Sequence, residues 1–373
     1  MSAGQRLRVV VAMSGGVDSC VVAALMHEAG HDVVGLTMKL RDSTAAERAG
    51  GSGSCCSADD TRDAREVCDR LGVPHFVVDY RDAFRKAVIE PFARAYLEGQ
   101  TPNPCVLCND HLKFAALLGR AKALGADVLA TGHYARVEGD AASGWTLRRA
   151  VDESRDQSYF LFGLNQRALS RVWFPLGGME KTAVRAHARR FGLEVADKPD
   201  SEDICFVPDG DYARVVSEVL ESRGLTAPAP GPIVDTAGEV LGEHRGVHHF
   251  TVGQRRGLGV ARGERLYVLS VDAPTATVVV GDAEALRSSG FLARDASWVD
   301  AGPSEGGLDC TVRIRSRHRG ARARVEVDGS GLRVHFSSPE PAVTPGQAAV
   351  FYEGDRVLGG AWIATPFSEA PRA

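Results

Sequence analysis

The sequence predicts an α/β first half followed by an all-β second half. Three observations carry this. Up to about residue 131, short and nearly continuous apolar runs alternate with helix-length amphipathic stretches. Pro228-Ala229-Pro230-Gly231-Pro232 then marks a turn-rich boundary. Beyond it come short strand-like runs punctuated by Gly and Asp. At about 100–200 residues per domain, 373 residues call for two or three domains. A content of 44% hydrophobic and 25% charged residues excludes a disordered chain, a collagen and a coiled coil.

Taken in order, residues 7–13 read as a buried strand and 19–29 as a helix closed by Gly30. A second strand covers 32–38, and a Gly/Ser-rich loop runs from Ser43 to about Ser57. Helix 59–71 ends at Gly72 and strand 75–79 follows. Helices cover 82–98 and 111–124, and strand 127–131 closes a parallel sheet with helices on both faces. Residues 145–151 and 157–163 read as further short strands, and 180–191 as a helix ended by Gly192. From about Gly210 the helical periodicity fades. Strands are expected at 247–252, 265–271, 276–280, 310–316, 322–327, 332–336, 348–352 and 357–364, the pattern of a small β-rich domain and a barrel. The expected partition is 1–210, 211–285 and 286–373.

With 44 Lys+Arg against 48 Asp+Glu, the net charge of −4 excludes a chain that is basic throughout, but not a local basic face. The apolar run Val9 to Met13 is too short for a signal peptide. No run reaches the ~20 residues of a membrane span, so a cytoplasmic chain is expected, with no membrane partner. Eight cysteines in such a chain read as buried thiols, metal ligands or redox groups. Cys20 and Cys68, on predicted helices, read as small core residues.

Ser14-Gly15-Gly16-Val17-Asp18-Ser19 sits between a buried strand and a helix. Its glycines allow close backbone approach to a ligand, Ser19 can cap the helix, and the helix N-terminus favours an anion. The Lys of a G-x-x-x-x-G-K-[ST] loop is lacking, as is the G-x-G-x-x-G pattern. The bland alternative is a strand-to-helix turn with a Ser cap. S-G-G-x-D-S resembles the pyrophosphatase loop of ATP pyrophosphatases, which adenylate a substrate and release pyrophosphate.

In Thr101-Pro102-Asn103-Pro104-Cys105-Val106-Leu107-Cys108-Asn109 the prolines predict an extended loop just before helix 111–124. Cys108 then lies near a helix N-terminus, where the dipole lowers a thiol pKa. Asp200-Ser201-Glu202-Asp203-Ile204-Cys205-Phe206 places another thiol in an acidic stretch. Taken alone, Cys205 reads as structural; beside the loop and Cys108 it reads as reactive. Cys55-Cys56 reads as structural, with a place near ATP as the alternative.

Together with Gly35-Leu36-Thr37-Met38-Lys39, Ala130-Thr131-Gly132-His133-Tyr134, Asp156-Gln157-Ser158-Tyr159-Phe160-Leu161 and the run from Phe250 to Gly259, these motifs span nearly the whole chain. In that order they resemble the tRNA-specific 2-thiouridylase (MnmA) family. The resemblance implies an N-terminal PP-loop ATP pyrophosphatase domain (adenine nucleotide alpha hydrolase-like), a central β-rich domain and a C-terminal β-barrel. It implies ATP contacts from Ala12, Met13, Ser14, Gly15, Gly16, Val17, Asp18, Ser19, Met38 and Gly132, with Mg²⁺ as cofactor. Cys108 would be the nucleophile and Cys205 the persulfide carrier, ending as a disulfide. Asn103, Pro104 and Cys105 would touch the target base. His133, Arg155, Asp156, Gln157, Arg315, Ser316 and Gln347 would touch the tRNA anticodon stem-loop. A sulfur-carrier protein or cysteine desulfurase relay would supply sulfur.

Two positions depart from the family pattern. Cys105 stands where Asp is familiar, creating C-x-x-C; Cys105, Cys108 and Cys205 could then hold a [4Fe–4S] cluster, an alternative to the persulfide. Ser316 stands where Tyr is frequent, which removes a stacking partner. Asp18 is open to three readings: Mg²⁺ ligand, loop-ordering residue or cap.

Two basic segments are candidate RNA faces. Residues 311–319 read as one strand, with Arg313, Arg315, Arg317 and Arg319 on one side and Val312 and Ile314 inward; Arg322 and Arg324 extend the stripe. Helix 180–191 aligns Lys181, Arg185 and Arg189 at i, i+4, i+8, flanked by His187 and Arg190. Arg255-Arg256 forms a smaller patch.

Overall fold

The computed structural model describes residues 5–42, 58–200, 203–260 and 265–368. Cys55, Cys56, Ser201 and Glu202 lie outside the described residues. The chain forms two compact units. The first comprises Met1–Ala87, Cys105–Gly210 and Asp355–Val357; the second comprises Val88–Pro104, Asp211–Gly354 and Leu358–Ala373.

The first unit is built on a parallel sheet in the order His75–Asp79, Asp32–Lys39, Arg8–Ala12, Val128–Ala130, Val172–Trp173. Central Val9, Val10 and Val11 are fully buried, as a strand covered on both faces requires. Helix Val17–Glu28 shares an apolar core with helices Ala58–Leu71 and Lys181–Arg190 through Val21, Ala64, Val67, Val184 and Ala188. The predicted strands 7–13, 32–38 and 75–79 all appear, within a residue or two at each end.

Two segments of this unit differ from expectation. Residues 157–163 are not a strand; Ser158–Phe160 form a 3₁₀ turn, with Ser158, Tyr159, Leu161 and Phe162 buried. Apolar density alone does not separate a buried turn from a buried strand. The loop expected ahead of helix 111–124 is helical from Pro104. Pro104–Leu107 is α-helical and Cys108–Ala116 continues as a π-helix. Proline is tolerated at a first helical position, where its missing N–H would have no partner.

In the second unit, helix Glu90–Leu97 meets helix Tyr212–Arg223, whose Tyr212 stacks on Tyr96 at 4.6 Å. The latter helix falls where fading periodicity predicts none. Its ends were nonetheless written in the sequence: the Asp211 side chain accepts the Arg214 N–H at 3.0 Å, and Gly224 closes it in the left-handed region. A four-stranded sheet runs Tyr267–Asp272, Thr277–Gly281, Gly231–Val234, Val240–His244 around Ile233, Val268, Val278 and Val280. Residues 247–252 are not a strand but include a 3₁₀ turn, Val247–His249.

Six strands then form a barrel in the order Arg287–Trp298, Gly331–Pro341, Ala321–Asp328, Leu308–Arg313, Ala348–Glu353, Arg356–Phe367; the last pairs with the first, from Gly359 to Phe367, and closes it. Phe291, Val312, Val325, Val334 and Phe351 fill the interior.

Candidate active site

The loop between strand Arg8–Ala12 and helix Val17–Glu28 is held by its own side chains. Ser19 Oγ accepts the Ser14 N–H at 3.1 Å, donates to the Gly16 carbonyl at 3.1 Å and lies 3.2 Å from Ser14 Oγ. Ser19 is therefore not the helix cap expected from sequence. Gly16 holds that position, and Ser19 sits inside the first turn, staking the loop from within. Gly15 has φ +75°, and a Cβ there would lie 2.0 Å from the Asp60 carbonyl oxygen. Only glycine fits both constraints. The result is a helix N-terminus behind a tight turn, a geometry that receives anions.

Gly132 is placed against this turn: a Cβ on it would lie 3.0 Å from the Asp18 Cβ and 3.0 Å from the Ser19 nitrogen. Met13 and Met38 are buried, while Ser14 is exposed.

Asp18 is a hub. Its carboxylate accepts from Tyr134 OH at 2.8 Å and from Lys181 Nζ at 2.8 and 2.9 Å. Lys181 also meets Asp200 at 2.8 Å, and Asp200 meets Arg155 at 3.0 Å and Arg185 at 3.3 Å. Lys181 and Tyr134 on its oxygens tie Asp18, and with it the loop, to helix Lys181–Arg190 and to the Ala130–Tyr134 motif. Burial, together with the Asp18 charge, pushes the Tyr134 hydroxyl well above its ordinary value, so it stays a donor.

The web reaches the second cysteine motif through Asp200. Asp200 opens the run that leads to Cys205, and Phe206 packs edge-on against Phe84 at 5.7 Å. Cys205 is half-buried. Cys108 is buried and Cys105 exposed. Cys108 stands a full turn into a helical run rather than at its start, so the dipole argument for a lowered thiol pKa loses force. The next residue, Asn109, donates to the Phe160 carbonyl at 3.0 Å, joining the first cysteine motif to the Asp156–Leu161 motif. Among the described residues no three His, Cys, Asp or Glu side chains converge on a metal position. Cys105, Cys108 and Cys205 thus do not fit a [4Fe–4S] cradle as they stand.

Burial pushes the thiols of Cys20, Cys68 and Cys310 up to about 12, which favours their protonated form at neutral pH.

Several residues expected to touch tRNA are occupied inside the protein. The Asp156 side chain is buried and accepts from Arg149 Nε and the Ala150 and Ser158 N–H groups, each at 3.2 Å. The Gln157 side chain accepts the Tyr134 N–H at 2.9 Å. His133 lies between Phe114 and Phe174, at 5.6 and 5.8 Å, bonded to Thr131 Oγ1 at 2.7 Å. Burial, aided by Lys113, pushes it well below its ordinary value, so the ring is neutral. In the second unit, Gln347 Nε2 donates to the Thr101 and Pro102 carbonyls at 3.0 and 3.2 Å, fastening the segment that carries buried Asn103 and Pro104.

The basic segments also change. The strand expected over 311–319 ends at Arg313, because residues 314–317 turn. Arg313 is 6% exposed and lies over the Tyr352 ring at 5.8 Å, whereas Arg315, Arg317 and Arg319 are exposed and Ser316 is half-buried. Arg324 is neutralised by Asp309 at 3.1 Å and Glu326 at 3.0 Å. On helix Lys181–Arg190 the expected basic face is paired off: Lys181 with Asp18 and Asp200, Arg185 with Asp200, Arg189 with Asp197, Arg190 with Glu28. Helix periodicity puts Lys181 on an outward basic face, and the structure turns it onto Asp18 and Asp200. Lys198, which belongs to none of the sequence motifs, donates to the Gly15 carbonyl at 3.1 Å.

Residues 7–209 match the family described as the tRNA methyl transferase HUP domain. Residues 218–282 match its PRC-barrel domain, and 288–363 an aminomethyltransferase beta-barrel domain. A tRNA-specific 2-thiouridylase MnmA from Geobacter metallireducens is 49% identical over 99% of this chain and 100% of its own. The chain belongs to the MnmA family. Similar proteins of the same name occur in Acidobacterium capsulatum, 48% identical over 95% of this chain and 98% of that one. Another, in Hyphomonas neptunium, is 49% identical over 96% and 91%. The MnmA family architecture, a HUP domain on a parallel sheet, a PRC barrel and a terminal β-barrel, accounts for the described fold.

Proposed function

We propose that this chain is a tRNA-uridine 2-sulfurtransferase: it uses ATP to replace O2 of the wobble uridine by sulfur, giving AMP and pyrophosphate. The observation that carries the proposal is the ion-pair web from the Ser14–Ser19 loop through Asp18, Lys181 and Asp200 into the Cys205 segment. It ties a phosphate-receptive turn to Asp200, the residue that opens the Cys205 segment, and so supports this reading. The family descriptions speak of methyl transfer and the relatives' names of thiolation. Methyl transfer requires neither a polyphosphate cradle nor two thiol motifs, so the residues favour thiolation.

Uracil C2 is a poor electrophile with a poor leaving group. Attack of O2 on the ATP α-phosphate expels pyrophosphate and leaves an adenylated base. The amides of residues 15–19 would stabilise the polyphosphate charge, with Ala12, Met13, Met38 and Gly132 shaping the nucleotide's surroundings. Mg²⁺ would accompany the phosphates; Asp18, held by Lys181 and Tyr134, is not the side chain we assign to it. Cys205, loaded as a persulfide by a sulfur-carrier partner, passes its terminal sulfur as Cys108 attacks the inner one. A Cys108–Cys205 disulfide forms, sulfide attacks C2 and AMP leaves; an external dithiol then reduces the disulfide. A base that must be turned out suits an anticodon loop. Asn103, Pro104 and Cys105 are assigned to the base, and Arg155, Arg315 and Ser316 to the tRNA. For His133, Asp156, Gln157 and Gln347 a positioning role fits their internal bonds. The partition 1–210, 211–285 and 286–373 is our division of labour, and the cytoplasm our assignment of place.

Cys108→Ser and Cys205→Ser test the proposal. Each is expected to abolish 2-thiouridine while tRNA-dependent pyrophosphate release survives. Loss of pyrophosphate release in both would show that the thiols build the site instead of carrying sulfur.

A further inference from the structure

Lys198 lies outside every motif considered so far, yet it touches the ATP loop directly. Its Nζ donates to the Gly15 carbonyl at 3.1 Å, to Asp60 Oδ1 at 2.6 Å and to Asp63 Oδ2 at 2.5 Å. Arg62 stands 3.8 Å from Asp63 and turns also toward Asp59 and Glu66. The Gly15–Gly16 peptide is trans. In a planar trans peptide, C=O and N–H point in opposite directions. Anchoring the Gly15 oxygen on Lys198 therefore commits the Gly16 N–H to the opposite side. Helix Ala58–Leu71 backs the loop on the Lys198 side, because the missing Gly15 side chain would strike Asp60. The Gly16 amide is thus turned away from that helix and toward the face where an anion can approach.

Charge gives a second reason. Asp60 is buried, and Asp63 is largely so. Without an ammonium between them, two carboxylates would stand behind a loop that must accept a polyphosphate. Burial works against the Lys198 charge, but the two carboxylates outweigh it and hold the ammonium above its ordinary value.

We propose that Lys198 is a positioning residue for adenylation. It sets the direction of the Gly16 amide, screens Asp60 and Asp63 from the polyphosphate, and ties the ATP loop to the chain that leads to Cys205. Lys198 and Asp200 clasp the loop from one short segment, Lys198 at Gly15 and Asp200 through Lys181 at Asp18. The proposal rests on the ATP-dependent reading above.

The test uses the full chain with Mg²⁺ and α,β-methylene-ATP, binding being read by calorimetry. Wild-type binding establishes the ATP reading; its absence would sink that reading and this proposal together. Lys198→Met is expected to weaken binding about tenfold or more, the effect of losing one charge-assisted hydrogen bond. KM for ATP in tRNA-dependent pyrophosphate release should rise in parallel, with kcat changing less. Lys198→Arg should stay within about threefold of wild type, since a guanidinium keeps the charge and donors. Adding Asp60→Asn and Asp63→Asn to Lys198→Met should recover part of the affinity, which a purely structural lysine would not predict. Circular dichroism checks folding, and Lys198→Gln replaces Lys198→Met should the latter not fold. Wild-type affinity in the folded charge-free variant would overturn the proposal, and failure of the added Asn changes to restore binding would overturn its screening part.

Discussion

Helix Lys181–Arg190 and the turn after strand Leu308–Arg313 look alike as sequence, each a dense basic segment in an acidic chain. In the structure they are opposites. The helix cations are matched by Asp18, Asp200, Asp197 and Glu28, brought in from other parts of the first unit. The turn keeps Arg315, Arg317 and Arg319 at the surface, where Arg315 donates to the Pro341 carbonyl at 3.4 Å. A row of like charges is thus half of a statement. The acids that complete it decide whether it organises a site or meets a phosphate backbone.

Lys181→Met breaks the comparison at its strongest point. It leaves Asp18 and Asp200 without their shared cation; Asp18 is partly exposed and Asp200 keeps Arg155 and Arg185, so the cost should fall below the roughly 3–5 kcal/mol of a fully buried pair. Urea unfolding should show the loss, while the salt dependence of tRNA binding stays as in wild type. A flatter salt dependence would return the helix to the RNA-binding surface. Replacing Arg315, Arg317 and Arg319 together by Ala should do the reverse. Unfolding is expected to be unchanged, and the slope of log K against log salt to fall by about 2, the value for three contacts to single-stranded RNA. An unchanged slope would remove the turn as a tRNA contact.

Arg189→Ala should be nearly silent in both assays, because its pair with Asp197 is exposed. A measurable loss of tRNA affinity would show that surface ion pairs on this helix open for RNA. The smallest expected effect is that of Cys310→Ser. A thiol pushed up to about 12 is protonated at pH 8, so Cys310 should resist alkylation there and react only as pH approaches that value. Thiolation should not change.

The parallel strands were legible because burial on both faces leaves unbroken apolar runs such as Val9-Val10-Val11. Helix Ala58–Leu71 was legible from its amphipathic period and the glycine after it. Helix Tyr212–Arg223 carried an Asp cap and a closing Gly, signals that the fading periodicity outweighed. The loop Ser14–Ser19 was recognisable from its residue types, but the direction of each bond was not: Ser19 stakes the turn instead of capping the helix. The helical start at Pro104 escaped because prolines read equally as extended chain and as a first helical turn. Lys181 could not be read correctly at all. Its partner Asp18 stands 163 residues away, and no local pattern reports a contact across that separation. Lys198 escaped for the same reason, with Asp60 138 residues away.

The central claim is that the ATP loop and the two cysteine motifs together move sulfur onto tRNA. The most direct measurement incubates the air-free protein with unmodified tRNA, ATP, Mg²⁺, a dithiol, and a cysteine desulfurase with cysteine as the persulfide donor, then digests the tRNA and identifies its nucleosides by mass. The account predicts 2-thiouridine at the wobble position, with AMP and pyrophosphate formed alongside. ATP cleavage without any thiolated nucleoside, or a methylated nucleoside in its place, would contradict it.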